Sequence, residues 1–224
     1  MLLAIDTSTD SASLALVQDS KVLAEVTWRC GQNHSVELLP RLSRLLNEAK
    51  VGLQSISCVI VAKGPGSFNG LRVGISTAKG LALSLKVPII GISSLELEAY
   101  QHAETGLPIC PIFNAGRGEI ATALYQKKDN QWCQLAAEHI TTVDALSSEI
   151  TGKTIFCGEY VPVIASRLKK RLKGRAVIAA DQLRPASLLA ELAKQRLEAG
   201  DYDHPASLQP LYLRRPAITQ PKHR

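Results

Sequence analysis

The stretch AKGPGSFNGLRVG, residues 62–74, decides how this chain folds. Four glycines and a proline separate an apolar run, SCVIVA (57–62), from a helical run that continues to about Lys86. A strand, a glycine loop and a helix in this order expose backbone N–H groups at a helix start, where anions are attracted. Spacing excludes two familiar phosphate loops. A P-loop needs G-x-x-x-x-G-K-[ST], but Leu71 stands five places past Gly66 and no Lys-Ser/Thr pair follows Gly70. The dinucleotide fingerprint needs G-x-G-x-x-G; Gly64 and Gly66 fit, but the third place is Asn69. Two alternatives stay open for the loop, a tight strand-to-helix turn and an anion site. Pro65 pre-sets one dihedral, Gly64, Gly66 and Gly70 permit others, and Ser67 or Asn69 can cap the helix.

The helix after the loop carries an apolar stripe of Leu71, Ile75, Ala78, Ala82 and Leu85. Gly70, Gly74 and Thr77 make a second face of small residues. Glycines inside a helix cost about 1 kcal/mol each against alanine. Gly74 and Gly80 therefore imply another backbone close by. One side of this helix faces its own sheet; the other faces either an earlier helix or a second chain.

That earlier helix is expected from about Ser35 to Lys50, with Leu38, Leu42, Leu45 and Ala49 at helical spacing and Leu39 and Leu46 widening the stripe. Before it, LLAID (2–6), SASLALV (11–17) and KVLAEVTW (21–28) read as an antiparallel meander. After the glycine loop come a strand PIIGI (88–92) and a helix over 93–103 capped by Ser93 or Ser94. Gly106-Leu107-Pro108 reads as a hinge, and beyond it the order partly repeats. Strands fall at 109–115, 119–126, 132–140, 154–158 and 176–180, and helices at 142–150, 161–173 and 186–199. The expectation is an α/β protein of two similar lobes, residues 1–105 and 106–215, each a mixed sheet with helices, followed by a disordered tail over 216–224.

The 224 residues suffice for such a pair of lobes. The hydrophobic share of 46% and charged share of 21% are those of a soluble globular protein. Aromatic residues make up only 4%, which argues against a surface built on base stacking. No uncharged apolar run reaches the roughly 18 residues of a membrane span, and MLLAI is cut by Asp6 without a basic flank. Five dispersed cysteines without a C-x-x-C pair suit reduced thiols in a cytoplasm, and no metal set is readable. The net charge of +6 is uneven: residues 1–160 carry 13 basic and 15 acidic side chains, residues 161–224 carry 13 and 5. The basic run RLKKRLKGR (167–175) reads either as a solvated helix face or as a surface for nucleic acid.

LLAIDTS at the start, HSVELLP, GPGSFNGLRVG and PLYLR (210–214) resemble the bacterial TsaB (YeaZ) family in order and spacing over nearly the whole chain. The resemblance implies two lobes of the actin/Hsp70/sugar-kinase (ASKHA) fold. It implies a role in forming threonylcarbamoyladenosine beside the anticodon, at position 37 of tRNA. The implied part is a non-catalytic, activating companion of the catalytic subunit TsaD, with the ATPase TsaE as a third protein and tRNA met through the complex. The motif loop Gly64, Pro65, Gly66, Ser67, Phe68, Gly70 and Arg72 then shapes an interface helix rather than a catalytic nucleotide site.

Active relatives hold a metal with H-x-x-x-H on the first helix; here His34 is followed by Leu38, and one imidazole is a poor metal site. A kinase-like first strand ends in Asp-x-Gly-[Ser/Thr]; here Asp6, Ser8 and Thr9 leave a candidate vestigial nucleotide site with a side chain where glycine is needed. Family members often carry Asp-Ala-Arg…Glu in the second lobe, and Asn114 to Glu119 departs from it. FCGEY (156–160) has one glycine where nucleotide-binding relatives have a pair. No catalytic residue, metal or cofactor is therefore expected. The alternative is an ATP-dependent phosphotransferase or ATPase of the same fold. The partner surface, for TsaD or for a second copy when the chain is alone, is expected on Leu38, Leu42, Leu45, Leu46, Gly70, Gly74 and Ala78.

Overall fold

Near-continuous burial places β1 (Leu2–Asp6) at the centre of a five-stranded sheet. β2 (Ser11–Gln18) pairs antiparallel with β1 and β3 (Lys21–Arg29) antiparallel with β2. α1 (His34–Glu48) follows, and β4 (Cys58–Ala62) pairs parallel on the other side of β1. α2 (Phe68–Leu85) leads to β5 (Ile89–Ile92), which completes the order β3-β2-β1-β4-β5. The computed structural model describes residues 1–180 and 182–214, so the expected tail over 216–224 lies outside the described residues.

α3 (Ser94–Tyr100) carries the chain to a second sheet. There β6 (Ile109–Gly116), β7 (Glu119–Lys128) and β8 (Gln131–Thr141) form a meander. α4 (Val143–Glu149), β9 (Thr154–Cys157), α5 (Val161–Leu172) and β10 (Ala176–Ile178) follow, with β9 parallel to both β6 and β10. The order β8-β7-β6-β9-β10 repeats that of the first sheet, so the partly repeated order of elements expected from the sequence is a repeat of topology. This is the expected α/β arrangement of two similar lobes, each a mixed sheet with helices. The helix expected over 186–199 is split at Ala193 into α6 (Ser187–Leu192) and α7 (Lys194–Ala199). Among the described residues, no helix is long and apolar enough to cross a membrane.

The lobes exchange helices. α1 and α2 cover one face of the first sheet through Leu38, Leu42, Leu45, Ile75 and Ala82. Its other face, with Ala4, Ala15 and Ile60, is covered by Ala186, Leu189, Ala190 and Ala193. Conversely, Leu95 and Ala99 of α3 pack on Ile109, Phe113 and Tyr125 of the second sheet. The chain after Gly200 also returns to the first lobe. Gly91 N–H donates to Asp203 Oδ2 (2.8 Å) and Leu211 N–H to Lys63 O (2.7 Å). The expected boundary at 106 thus misplaces the last part of the chain: residues 186–211 pack on the first lobe, because its second face has no other apolar cover. Arg214 then pairs with Glu119 of the second lobe.

Candidate functional site

The glycine loop receives the turn that follows β1. Ser67 N–H donates to Ser8 O at 2.7 Å, and the Thr7 hydroxyl donates to Gly70 O at 2.8 Å. A Cβ on Gly66 would lie 2.1 Å from Ser8 O, one on Gly70 2.1 Å from Thr7 O, and one on Gly74 2.2 Å from Thr7 Oγ1. Three glycines of the motif are therefore fixed by one close approach. Gly64 N–H donates to Ser94 Oγ (3.0 Å), and Ser67 caps α2 by accepting from Gly70 N–H. The N–H groups of Gly64, Ser67 and Gly70 are thus spent on the chain itself, which favours the turn over an anion site. The expectation that Gly70, Gly74 and Ala78 admit a foreign helix is corrected: Ala78 is fully buried in the core, and Thr7 occupies the small face.

His34 opens α1 and is 3% exposed. Its Nε2 lies 2.8 Å from Thr9 O, so that nitrogen carries the proton and donates to the carbonyl. Leu38, one turn on, is a core residue where a second imidazole would be needed.

Asp6, Ser8 and Thr9 are brought together as expected, but around a residue the sequence did not single out. The Arg184 guanidinium is 5% exposed and reaches back between β10 and α6. Its Nη2 pairs with Asp6 Oδ2 at 2.9 Å and donates to Ser8 Oγ (2.8 Å) and Thr9 Oγ1 (3.2 Å), and its Nη1 reaches Glu98 Oε2 at 3.4 Å. Phe113 lies beneath it at 5.2 Å. Ser8 completes the network by donating N–H and hydroxyl to Asp6 Oδ1 at 2.9 and 2.7 Å. Burial alone would pull the Arg184 pKa down, but Asp6, Glu98 and Glu159 outweigh it and hold the group charged. A cleft of about 380 Å³ opens beside it, lined among others by Thr9, Asp10, Arg29, Glu98 and Glu159. With two carboxylates answered by an internal guanidinium, this place is built for a cation and already contains one.

The leucines expected on a partner surface are core residues. Leu38, Leu42, Leu45 and Leu46 are 1, 3, 3 and 8% exposed and pack against β2, β4 and α2. Each contributes about 1.5–3 kcal/mol of folding by burial. That expectation is corrected, because the stripe is as wide as the sheet and the second helix beneath it require. The outward faces of the same helices are a different set. On α1 they include Val36, Leu39, Pro40, Ser43 and Asn47, and on α2 Ser76, Gly80, Leu83 and Ser84, all exposed. Exposed Arg44 and Glu48, paired at 2.7 Å, stand beside these on α1, and Arg72 stands on α2, stacked 3.7 Å over the half-exposed ring of Phe68. A Cβ on Gly80 would meet nothing within 4 Å.

In the second lobe, Asn114 caps its own hairpin by accepting from Gly116 N–H at 2.8 Å, and Glu119 is held by Arg214. Gly158 of FCGEY is needed for a close approach, since a Cβ there would lie 2.6 Å from Ile112 O. On α5, Arg167 and Arg171 are both paired with Asp144 at 2.5 and 3.1 Å, while Lys169, Lys170 and Lys173 are exposed. Burial pushes the thiols of Cys30 and Cys58 up to about 11 and that of Cys110 up to about 12, so none is a thiolate at neutral pH.

Residues 23–221 match the family described as TsaD: tRNA N6-adenosine threonylcarbamoyltransferase. The chain is 37% identical over 218 residues to the tRNA threonylcarbamoyladenosine biosynthesis protein TsaB of Bacillus subtilis, covering 95% of this chain and 93% of that protein. Its 34% identity to a tRNA N6-adenosine threonylcarbamoyltransferase of Fervidobacterium nodosum covers only 46% of this chain and 35% of that one. Among solved structures, YeaZ from Pseudomonas aeruginosa superposes with a TM-score of 0.81 at 24% identity, over 95% of this chain and 99% of that one.

Proposed function

The chain belongs to the TsaB family of tRNA threonylcarbamoyladenosine biosynthesis proteins, and from this we propose that it is the non-catalytic subunit that binds and activates a TsaD-like threonylcarbamoyltransferase. The observation that carries this reading is Arg184. Its guanidinium fills the space between Asp6, Ser8 and Thr9, where a kinase-like fold needs room for phosphate and a metal ion. The replacement of the second helix histidine by the core residue Leu38 supports it. An ATP-dependent phosphotransferase is disfavoured on the same grounds.

The partner surface of this reading is the outer face of α1 and α2 that carries Leu39, Gly80 and Leu83. A TsaD-like subunit docks there, and a second copy of this chain takes its place when TsaD is absent. A TsaE-like ATPase joins the assembly in the cytoplasm, and tRNA is met by the assembly rather than by the lone chain. The test is sedimentation of the wild type, Leu39→Asp and Gly80→Leu, each alone and mixed with the TsaD-like subunit. Both variants remain folded by circular dichroism and lose self-association and TsaD binding together. Wild-type association by both folded variants sinks the surface. Calorimetric binding of magnesium-ATP by the lone chain, abolished by Asp6→Ala, sinks the non-catalytic reading.

A further inference from the structure

Glu98 lies on α3, and His102 follows four residues later in the turn that ends it. Because α3 covers the second sheet, Cys157, the last residue of β9, comes to lie against this pair. One donor atom from each of the three residues lies within 4.8 Å of the other two. We propose that Glu98, His102 and Cys157 form a binding site for a zinc-class divalent ion, which ties the helix linking the lobes to the second sheet.

The donor set selects the ion. Sulfur, imidazole nitrogen and one carboxylate oxygen suit zinc or cobalt, whereas magnesium and calcium take oxygen alone. Tetrahedral zinc, with bonds of about 2.3 Å to sulfur and about 2.0–2.2 Å to nitrogen and oxygen, sets its ligands about 3.5 Å apart. The three donors, all within 4.8 Å of one another, need only side-chain adjustment to reach that spacing.

Two of the donors have little else to do. The His102 ring makes no hydrogen bond among the described residues, although the side chain is half-buried. The Cys157 thiol is 2% exposed and makes one long hydrogen bond, 3.8 Å to Glu98 O. Both donors can therefore turn to an ion without breaking a strong hydrogen bond. Glu98 can serve both the ion and Arg184, since a carboxylate accepts several bonds.

On binding, the Cys157 S–H bond breaks, its proton leaves to solvent and the thiolate bonds the metal. The dication adds to the Arg184 guanidinium as a counter-charge to this thiolate and to the carboxylates of Asp6, Glu98 and Glu159 around it. Half-buried His102 gives the ion its way in from solvent, and a water fills the fourth position.

The test is cobalt titration of the full chain, purified without a histidine tag, in a Cys133→Ser background that removes the most exposed thiol. One cobalt per chain is expected, with a thiolate-to-cobalt charge-transfer band that zinc displaces. Cys157→Ser, a near-isosteric change that keeps the fold, abolishes the band. His102→Ala weakens binding roughly ten-fold or more. Absence of the band, or its persistence in Cys157→Ser, overturns the proposal. Unchanged affinity in a folded His102→Ala protein does so too.

Discussion

Arg184→Ala is the sharpest probe of the interior. It removes a guanidinium that pairs with Asp6 at 2.9 Å and Glu98 at 3.4 Å, and leaves both carboxylates buried. Removing one partner of a buried ion pair costs about 3–5 kcal/mol, because the remaining charge is uncompensated. At about 2–4 °C per kcal/mol for a chain of this size, the melting temperature falls by about 6–20 °C. Arg184→Lys keeps the charge but cannot reach Asp6, Ser8, Thr9 and Glu98 together, so it falls between Arg184→Ala and the wild type. The triple variant Asp6→Asn, Glu98→Gln, Arg184→Met removes charge on both sides and recovers most of the loss. Differential scanning calorimetry reads all four proteins. If Arg184→Ala melts within about 2 °C of the wild type, the guanidinium is not the buried counter-charge argued for it.

Gly66→Ala and Gly70→Ala, each driving a Cβ to 2.1 Å from a backbone oxygen, are expected to cost about 1–3 kcal/mol in urea unfolding. Gly80→Ala meets open space and gains about 1 kcal/mol, so equal effects at all three positions refute the close-approach argument. Burial raises the pKa of Glu96, which accepts from Trp132 Nε1 at 3.2 Å. The native state therefore holds that proton more tightly than the unfolded chain, and the stability this supplies is complete below the ordinary value of 4.5 and lost as pH rises through the raised one. Glu96→Gln should accordingly be the more stable protein at pH 7, with its advantage shrinking toward pH 4 in paired melting curves. Glutamine at Lys169, Lys170 and Lys173 should weaken tRNA binding by the assembled complex and flatten its salt slope by about one unit per lysine; an unchanged slope makes α5 a solvated face.

The regular elements were legible because their periods are. A spacing of three and four marked α1 and α2, and apolar runs bounded by turn residues marked the strands of both meanders. What a stripe cannot reveal is its cover. Leu38, Leu42, Leu45 and Leu46 announce one apolar face, and the first sheet with α2 takes all of it. The exposed face of the same helix is weakly apolar and interrupted by Ser43 and Asn47, so no periodic signal marks it. The close backbone expected at Gly74 and Gly80 is found instead at Gly66 and Gly70, against Ser8 and Thr7; Gly74 meets the Thr7 side chain and Gly80 meets nothing within 4 Å. Arg184 lies 178 residues from Asp6 in a segment without a pattern, and Cys157 lies 59 from Glu98. Such pairings follow from topology alone.

The helix exchange explains why Arg184 reaches that place at all. The face of the first sheet carrying Ala4, Ala15 and Ile60 needs cover, and α6 crosses from the second lobe to supply it. The segment leading into α6 must therefore pass the end of β1, and Arg184 is carried to Asp6. A cleft that opened and closed around a nucleotide would break this pairing at each cycle, at a cost of about 3–5 kcal/mol. That is a large fraction of the 5–15 kcal/mol by which a domain is stable. A subunit that only presents a surface need not move its lobes and keeps the pairing intact. On the proposed reading, the guanidinium that closes the place of a phosphate also holds the sheet on which α1 and α2 display their outer face.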